Sequence, residues 1–127
     1  MIKLVMTWKN NPRRTPEECN DHYVSQHTRL ALASIDSGSG LRRYVQNKVT
    51  SCMWHNFNNP EPEPGQADFD RYIELYFDDQ EAMGRSFAET DLGAIFADHE
   101  NFMDTKIAGS LRVYEVEETV VFDSGGG

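Results

Sequence analysis

The sequence predicts an α+β fold with a ferredoxin-like β-α-β-β-α-β order and an antiparallel four-stranded sheet. Two observations lead to this prediction. Four apolar segments have the length and alternation of strands, and helical stretches separate them as two crossover units require. In addition, a chain of 127 residues with 39% hydrophobic and 26% charged side chains suits one globular domain.

The first β-α unit carries the strongest local signals. IKLVMTW (2–8) is a short apolar run bounded by turn-forming residues, which predicts a strand. Thr15 is the expected helix cap, because Pro16 suits the first helical position and Glu18 completes a capping box.

The middle of the chain is predicted to hold two strands around an irregular connection. The first helix should end at about Ala33, before a loop in DSGSG (36–40), and LRRYVQNKV (41–49) reads as the second strand. Residues 50–69 look irregular, because the PEPEPG stretch is expected neither in a helix nor in a paired strand. So long a connection suggests a lid or a binding loop. RYIELYF (71–77) is the third strand.

The last third of the chain is predicted to complete the second crossover unit. Residues 78–89 and 90–104 have helical spacing, and SLRVYEVEETVVF (110–122) reads as a long fourth strand. We expect one domain over residues 1–118, including the long loop, and a strand end with a mobile tail over 119–127.

The third strand is apolar on both faces. Ile73, Leu75 and Phe77 suit packing under the helices, while Tyr72 and Tyr76 lie on the opposite face. An uncovered face of this kind indicates an oligomer surface. Two such sheets packed face to face would form a dimeric α+β barrel about a two-fold axis, which predicts a homodimer.

His27 is the first candidate functional residue. At about 100° per residue it falls within the apolar arc of the first helix, together with Tyr23. Either its imidazole is a hydrogen-bonded core group, or it projects into a pocket between helix and sheet as an acid, a base or a ligand anchor. Burial would keep such a ring neutral. Tyr23 shares this side of the helix and is a candidate ligand contact.

The other candidates lie on the second strand and in the long loop. Tyr44 either packs in the core or orients a substrate carbonyl or hydroxyl beside His27. Trp54, His55 and Phe57 are either solvated loop residues or a lid that closes over an apolar ligand.

The charge and the motifs argue against several classes of function. With 21 acidic and 12 basic side chains, the formal charge of −9 repels phosphate backbones, so nucleic acid is not an expected partner. No apolar run reaches the length of a membrane span and no secretory signal is recognisable, so we expect a cytoplasmic protein with reduced Cys19 and Cys52. His22 and His27 lie about 140° apart on an α-helix and should not share a metal ion. No metal or other cofactor is expected.

Several segments resemble the EthD-domain family. They are the TPEE helix start at Thr15, the HTRL segment at His27, GLRRYV at 40–45, DRYIELYFD at 70–78, and the FMD sequence that ends at Asp104. The resemblance spans roughly residues 1–115. The chain differs from the family pattern at Cys19, where a Phe is usual, and in the length and proline content of residues 50–69.

The resemblance implies a dimeric α+β barrel whose cavity between helices and sheet binds a small, apolar, oxygenated molecule. Some relatives act without a cofactor as lactone isomerases or polyketide dehydratases, and others accompany the degradation of alkyl ethers. By analogy, the chain would be a cofactor-free lyase or isomerase in degradation or polyketide-like metabolism, with His27 as general base and Tyr44 as hydrogen-bond donor. The alternatives are a non-catalytic accessory or carrier protein for an oxygenase system, and a cofactor-free monooxygenase.

Overall fold

A computed structural model describes residues 1–33 and 40–125 of the chain. Within them the strands are β1 (Ile2–Trp8), β2 (Leu41–Lys48), β3 (Met53–Asn56), β4 (Asn59–Pro64), β5 (Arg71–Phe77) and β6 (Arg112–Val116). The helices are α1 (Pro16–His22), α2 (Thr28–Ala33), α3 (Gln80–Glu89) and α4 (Leu92–Asp98). A π-helical segment, Tyr23–His27, joins α1 to α2, and a 3-10 turn, His99–Asn101, follows α4. Most of the predicted loop at 36–40 and the last two residues of the chain lie outside the described part.

The main sheet has the strand order β2-β5-β1-β6, and each pair of neighbours is antiparallel. Strands β1 and β2 run in the same direction but are separated by β5, as two interleaved crossover units require. The predicted α+β class, the ferredoxin-like order and the antiparallel four-stranded sheet are confirmed. A separate two-stranded sheet pairs β3 with β4.

The hydrophobic core lies between one face of the main sheet and the helices. Leu75 and Phe77 of β5 and Trp8 of β1 are buried there, as the alternation along the strands predicts. Their partners from the helical layer are Tyr23 and Phe102, and the rings of Trp8 and Tyr23 pack edge to face with centroids 4.9 Å apart.

The first helix begins as the sequence predicts. The Thr15 hydroxyl accepts from the Glu18 backbone N–H at 3.1 Å, and the Glu18 carboxylate accepts from the Thr15 backbone N–H at 3.0 Å. Further along, the regular α-helix is interrupted, because both the backbone N–H and the hydroxyl of Thr28 donate to the carbonyl of Tyr23, five residues earlier. These two hydrogen bonds from Thr28 to the Tyr23 carbonyl stabilise the π-helical segment.

The prediction of an irregular connection over residues 50–69 was wrong. Strand β4 contains Pro60, Pro62 and Pro64, yet it pairs with β3 as a hairpin. Alternate residues of a strand point their N–H groups to opposite edges, so all three prolines face away from β3. The residues between them keep their donors for the ladder, which continues with the Gly65 N–H bonded to the Cys52 carbonyl at 3.0 Å.

The fourth main strand is also shorter than the predicted 110–122. Lys3 of β1 pairs with Val116 of β6, so the antiparallel partner strand ends within two residues of this point. Beyond it, Glu118 bonds to Lys3 at 2.8 Å on the face of the sheet opposite the helices. The same face holds Glu74 and Tyr76, whose carboxylate and hydroxyl lie 2.9 Å apart. The predicted division of the chain at residue 118 stays a prediction.

The described part of the chain contains no helix long and apolar enough to cross a membrane.

Candidate functional site

A cavity of about 330 Å³ lies between the helices and the covered face of the main sheet. Its volume is at the lower end of the range for small-molecule sites. Leu92 and Phe96 of α4 and Val113 of β6 line it and are exposed, so the cavity opens between these elements. No charged Asp, Glu, Lys or Arg side chain from the described residues lines it, and the polar side chains that do are Tyr23, His27, Tyr44, Thr90 and His99.

His27 lines the cavity and is held by a carboxylate behind it. The side chain is 6% exposed, and its Nδ1 lies 2.8 Å from one oxygen of Asp98, the last residue of α4. The other Asp98 oxygen bonds to His22 Nε2 at 2.8 Å and to Asn101 Nδ2 at 2.8 Å. Asp98 therefore joins the first helix to the turn that follows α4.

The π-helical segment explains how two histidines reach one carboxylate. On a regular α-helix His22 and His27 would point about 140° apart. A π turn contains more residues than an α turn, so residues five positions apart come to lie on nearly the same side. The prediction that these rings diverge was wrong, although the group they share is a carboxylate. Among the described residues, no cluster of three or more His, Cys, Asp and Glu could hold a metal ion.

The arrangement defines where the proton of His27 lies. Burial lowers the pKa of His27, although the hydrogen bond and the charge of Asp98 act in the opposite direction. Burial would raise the pKa of Asp98, but its hydrogen bonds from Asn101, His27 and His22 together lower it. A neutral His27 beside an ionised Asp98 carries its hydrogen on Nδ1, so Nε2 has a free lone pair.

Nε2 of His27 also borders open space. The enclosed side-chain atoms without a hydrogen-bond partner, among the described residues, belong to Trp8, Asn47 and Ser110. His27 Nε2 is not one of them and has no hydrogen-bond partner within the described part of the chain, although the His27 side chain lines the cavity. This nitrogen is thus accessible to a molecule in the cavity.

A second polar group of the cavity is a pair of phenols. The hydroxyls of Tyr23 and Tyr44 lie 2.6 Å apart, and Gln46 Nε2 donates to Tyr44 at 3.3 Å and to the Thr28 hydroxyl at 2.7 Å. One phenol donates to the other, so one of the two phenolic protons is not used within the pair. Burial raises the pKa of Tyr23 far above its usual value, so this phenol keeps its proton near pH 7.

Arg71 lies behind this pair. Its guanidinium carbon is 4.9 Å from the centre of the Tyr23 ring, and the residue is buried. A cation over a phenol ring makes negative charge on the nearby oxygen less costly.

The structure brings together three of the predicted site residues and separates them from the other three. Tyr23, His27 and Tyr44 all line the cavity. Trp54, His55 and Phe57 lie in or next to the β3–β4 hairpin, are exposed, and do not line the cavity. Their role as a lid stays a prediction.

Several residues of the site were missed from the sequence. Gln46 could have been found, because it lies two positions after Tyr44 and shares its face of the strand. Asp98 and Arg71 gave no signal, since each meets its partner only through tertiary contacts.

Comparisons with known proteins agree with this architecture. The family model described as the EthD domain matches residues 11–106. An ethyl tert-butyl ether D (EthD) family protein from Bacillus halodurans is similar in structure with a TM-score of 0.62 and 22% identity, over 94% of this chain and 99% of that one. An EthD-like protein from Ralstonia eutropha has a TM-score of 0.55 and 20% identity, over 98% of this chain and 96% of that one.

A protein from Arabidopsis thaliana has the same fold, with a TM-score of 0.60 and 15% identity over 96% of this chain and 99% of that one. No curated protein sequence matches the chain. At these identities the structural similarities establish the fold and leave the chemistry to the residues of the cavity.

Proposed function

Because the chain belongs to the EthD-domain family, whose model matches most of it, we propose that it binds a small, apolar, oxygenated molecule in this cavity and acts on it as a cofactor-free lyase or isomerase. The observation that carries the proposal is the free Nε2 of His27, which borders an apolar cavity while Asp98 holds Nδ1. An uncharged ligand fits best, because no charged side chain from the described residues lines the cavity to compensate for the loss of its hydration.

The proposed reaction is a proton transfer next to a carbonyl group. His27 Nε2 takes a proton from the carbon, the electron pair of the broken C–H bond forms a C=C bond to the carbonyl carbon, and the π electrons of the C=O bond move to the oxygen. The unused phenolic proton of the Tyr23–Tyr44 pair donates to that oxygen, and Arg71 favours the developing negative charge. Return of the proton from His27 to a different carbon of the conjugated enolate restores the carbonyl and completes an isomerisation. In a dehydration the enolate restores the carbonyl and forms a new C=C bond as the C–O bond of a β-hydroxyl breaks, and His27 gives its proton to that hydroxyl, which leaves as water.

Asp98 acts here as a positioning residue. Its carboxylate fixes the Nδ1–H form of His27 and stabilises the imidazolium that forms when Nε2 takes a proton. Bonds from His22 and Asn101 hold the carboxylate in turn.

The proposal includes a cytoplasmic homodimer in a catabolic or polyketide-like pathway. The sheet face opposite the helices carries Tyr72, Tyr76 and Tyr114, and two such faces together would form the barrel. Free Cys19 and Cys52 suit a reducing compartment. Trp54, His55 and Phe57 would contact a ligand only if the β3–β4 hairpin moved toward the cavity of its own subunit or that of the partner subunit.

The experiment is a panel of lactones, anthrones and phenols, in which binding and product formation are followed separately. We expect turnover by the wild-type protein and a loss of at least tenfold in His27→Ala, with Val24→Ala as an exposed control on the same π-helical segment. Binding without conversion of any compound would favour a carrier or accessory protein for an oxygenase, and oxygen consumption would favour a cofactor-free monooxygenase. Full turnover by a folded His27→Ala protein would remove the base from the mechanism.

A second variant separates positioning from catalysis. Asp98→Asn should lower turnover about tenfold or more and shift the pH profile, because the imidazolium loses its counter-charge. The ¹⁵N chemical shifts of His27 should show a mixture of tautomers in this variant and one tautomer in the exposed control Asp21→Asn. An unchanged His27 tautomer in Asp98→Asn would show that Asp98 does not position the ring.

A further inference from the structure

His99 is a buried imidazole with unused hydrogen-bonding capacity. The residue is 9% exposed, begins the 3-10 turn after α4, and lines the cavity. Neither of its ring nitrogens has a hydrogen-bond partner among the described residues, and neither is one of their enclosed, unpartnered atoms. Its ring contacts are Phe96 at 4.7 Å, His27 at 5.5 Å and Phe102 at 5.8 Å between centroids.

A histidine that serves only as a core residue would not be expected to leave both ring nitrogens without a hydrogen-bond partner. Buried imidazoles ordinarily use at least one nitrogen within the protein, because an unpaired polar group inside a protein is costly. His22 and His27 follow this rule through Asp98. Burial, with the nearby His27 as a second cause, lowers the pKa of His99 to about 4, so its ring is neutral near pH 7 and has one N–H and one free lone pair.

We infer that His99 is a second ligand-binding residue and that His27 and His99 together recognise a hydroxyl group on an otherwise apolar molecule. A hydroxyl can donate its proton to His27 Nε2 and accept the N–H of His99 at the same time. Ring centroids 5.5 Å apart allow one oxygen to lie within hydrogen-bond distance of a nitrogen of each ring. A hydrocarbon of the same shape leaves all these nitrogens unpaired.

The alternative occupants of this position differ in charge. A carboxylate or phosphate would meet two neutral rings and no cation in the described lining, and an ammonium group would meet no carboxylate. The inference rests on the ligand-binding part of the proposed function and does not require turnover.

The test compares 1-naphthol with naphthalene, which share one ring system and differ in a single hydroxyl. Calorimetric titration of the wild-type protein should show about tenfold tighter binding of 1-naphthol. His99→Leu should lose this preference and bind naphthalene within about twofold of the wild-type protein, and His99→Gln, which keeps a donor and an acceptor, should recover part of it. Equal preference for 1-naphthol in a folded His99→Leu protein would overturn the inference, as would binding of neither compound by the wild-type protein.

A measurement on the wild-type protein tests the same inference if His99→Leu does not fold. Addition of 1-naphthol to ¹⁵N-labelled wild-type protein should move the ring nitrogen resonances of His27 and His99 together, and naphthalene should leave them nearly unchanged. Movement of His27 alone would exclude His99 from the site. If both rings respond and no compound of the panel is converted, the binding inference holds while the proposed catalysis fails.

Discussion

The burial of His99 makes a quantitative prediction about stability and pH. Folding lowers the pKa of this residue from its usual 6.5 to about 4, mainly because the buried ring cannot be charged without losing its hydration. Above pH 6.5 both the folded and the unfolded chain hold a neutral ring, and the stabilisation is fully present. Between 6.5 and 4 only the unfolded chain binds the proton, so stability falls as the pH falls.

The size of this effect follows from the two values. At 1.36 kcal/mol for each pH unit, the difference between 6.5 and about 4 corresponds to about 3 kcal/mol of unfolding free energy lost between pH 7 and pH 4. A typical domain has only about 5–15 kcal/mol of unfolding free energy in total, so a loss of this size is readily measurable.

Urea unfolding curves at pH 7, 6, 5 and 4.5 measure the effect. The free energy of unfolding of His99→Phe should depend less steeply on pH than that of the wild-type protein, because the variant has no ring to protonate in the unfolded chain. His55→Phe is the matched control, because this histidine is exposed in the hairpin and folding does not bury its ring. Parallel curves for wild-type protein and His99→Phe would refute the argument that folding buries a neutral ring at this position.

Three further predictions concern the helix cap, two glycines and the phenol pair. Thr15→Ala should cost about 1 kcal/mol of unfolding free energy, since it removes the side-chain half of the capping box; thermal or urea unfolding would show this, and an unchanged midpoint would contradict it. Gly40→Ala should destabilise the protein, because φ is +88° and a Cβ would lie 2.5 Å from Ala82 Cβ. Gly84→Ala on α3 meets no neighbour and should raise the free energy of unfolding by about 0.5–1 kcal/mol. A more stable Gly40→Ala than Gly84→Ala protein would show that the tight contact at residue 40 is wrong. Tyr44→Phe should weaken binding of a carbonyl ligand several-fold, whereas the control Tyr114→Phe, on the opposite face of the sheet from the cavity, should leave it unchanged. Equal affinity of the wild-type protein and Tyr44→Phe in titrations would exclude the phenol pair as the donor.

Much of the fold could be predicted because its signals are local. The capping box at Thr15 and the alternation along β5 depend on neighbours within a few residues, and both are present in the structure. The hairpin at 53–64 did not follow from its proline content, because the spacing of prolines decides whether a strand can pair. Three prolines at alternate positions leave the N–H groups on the inner edge of the strand available.

Only part of the site could be predicted from local sequence patterns. A helical wheel at constant angle placed His27 toward the core, but it failed across the π-helical segment, where Thr28 alters the local winding. The partner of His27 is Asp98, 71 positions away in the sequence, and no periodicity in one segment can report a contact of that kind. The unused nitrogens of His99 are likewise visible only once every neighbour is known.

The spacing of prolines in the hairpin has a consequence for the behaviour of the protein at high concentration. Trp54 and Phe57 present aromatic surface to water, and an unpaired strand beside such surface is a template on which further chains assemble into intermolecular sheets. The outer edge of β4 lacks an N–H donor at each of its three prolines. An incoming strand would meet carbonyl acceptors there but no N–H groups with which to form a ladder. The prolines therefore disfavour the pairing of a further strand at the outer edge of β4.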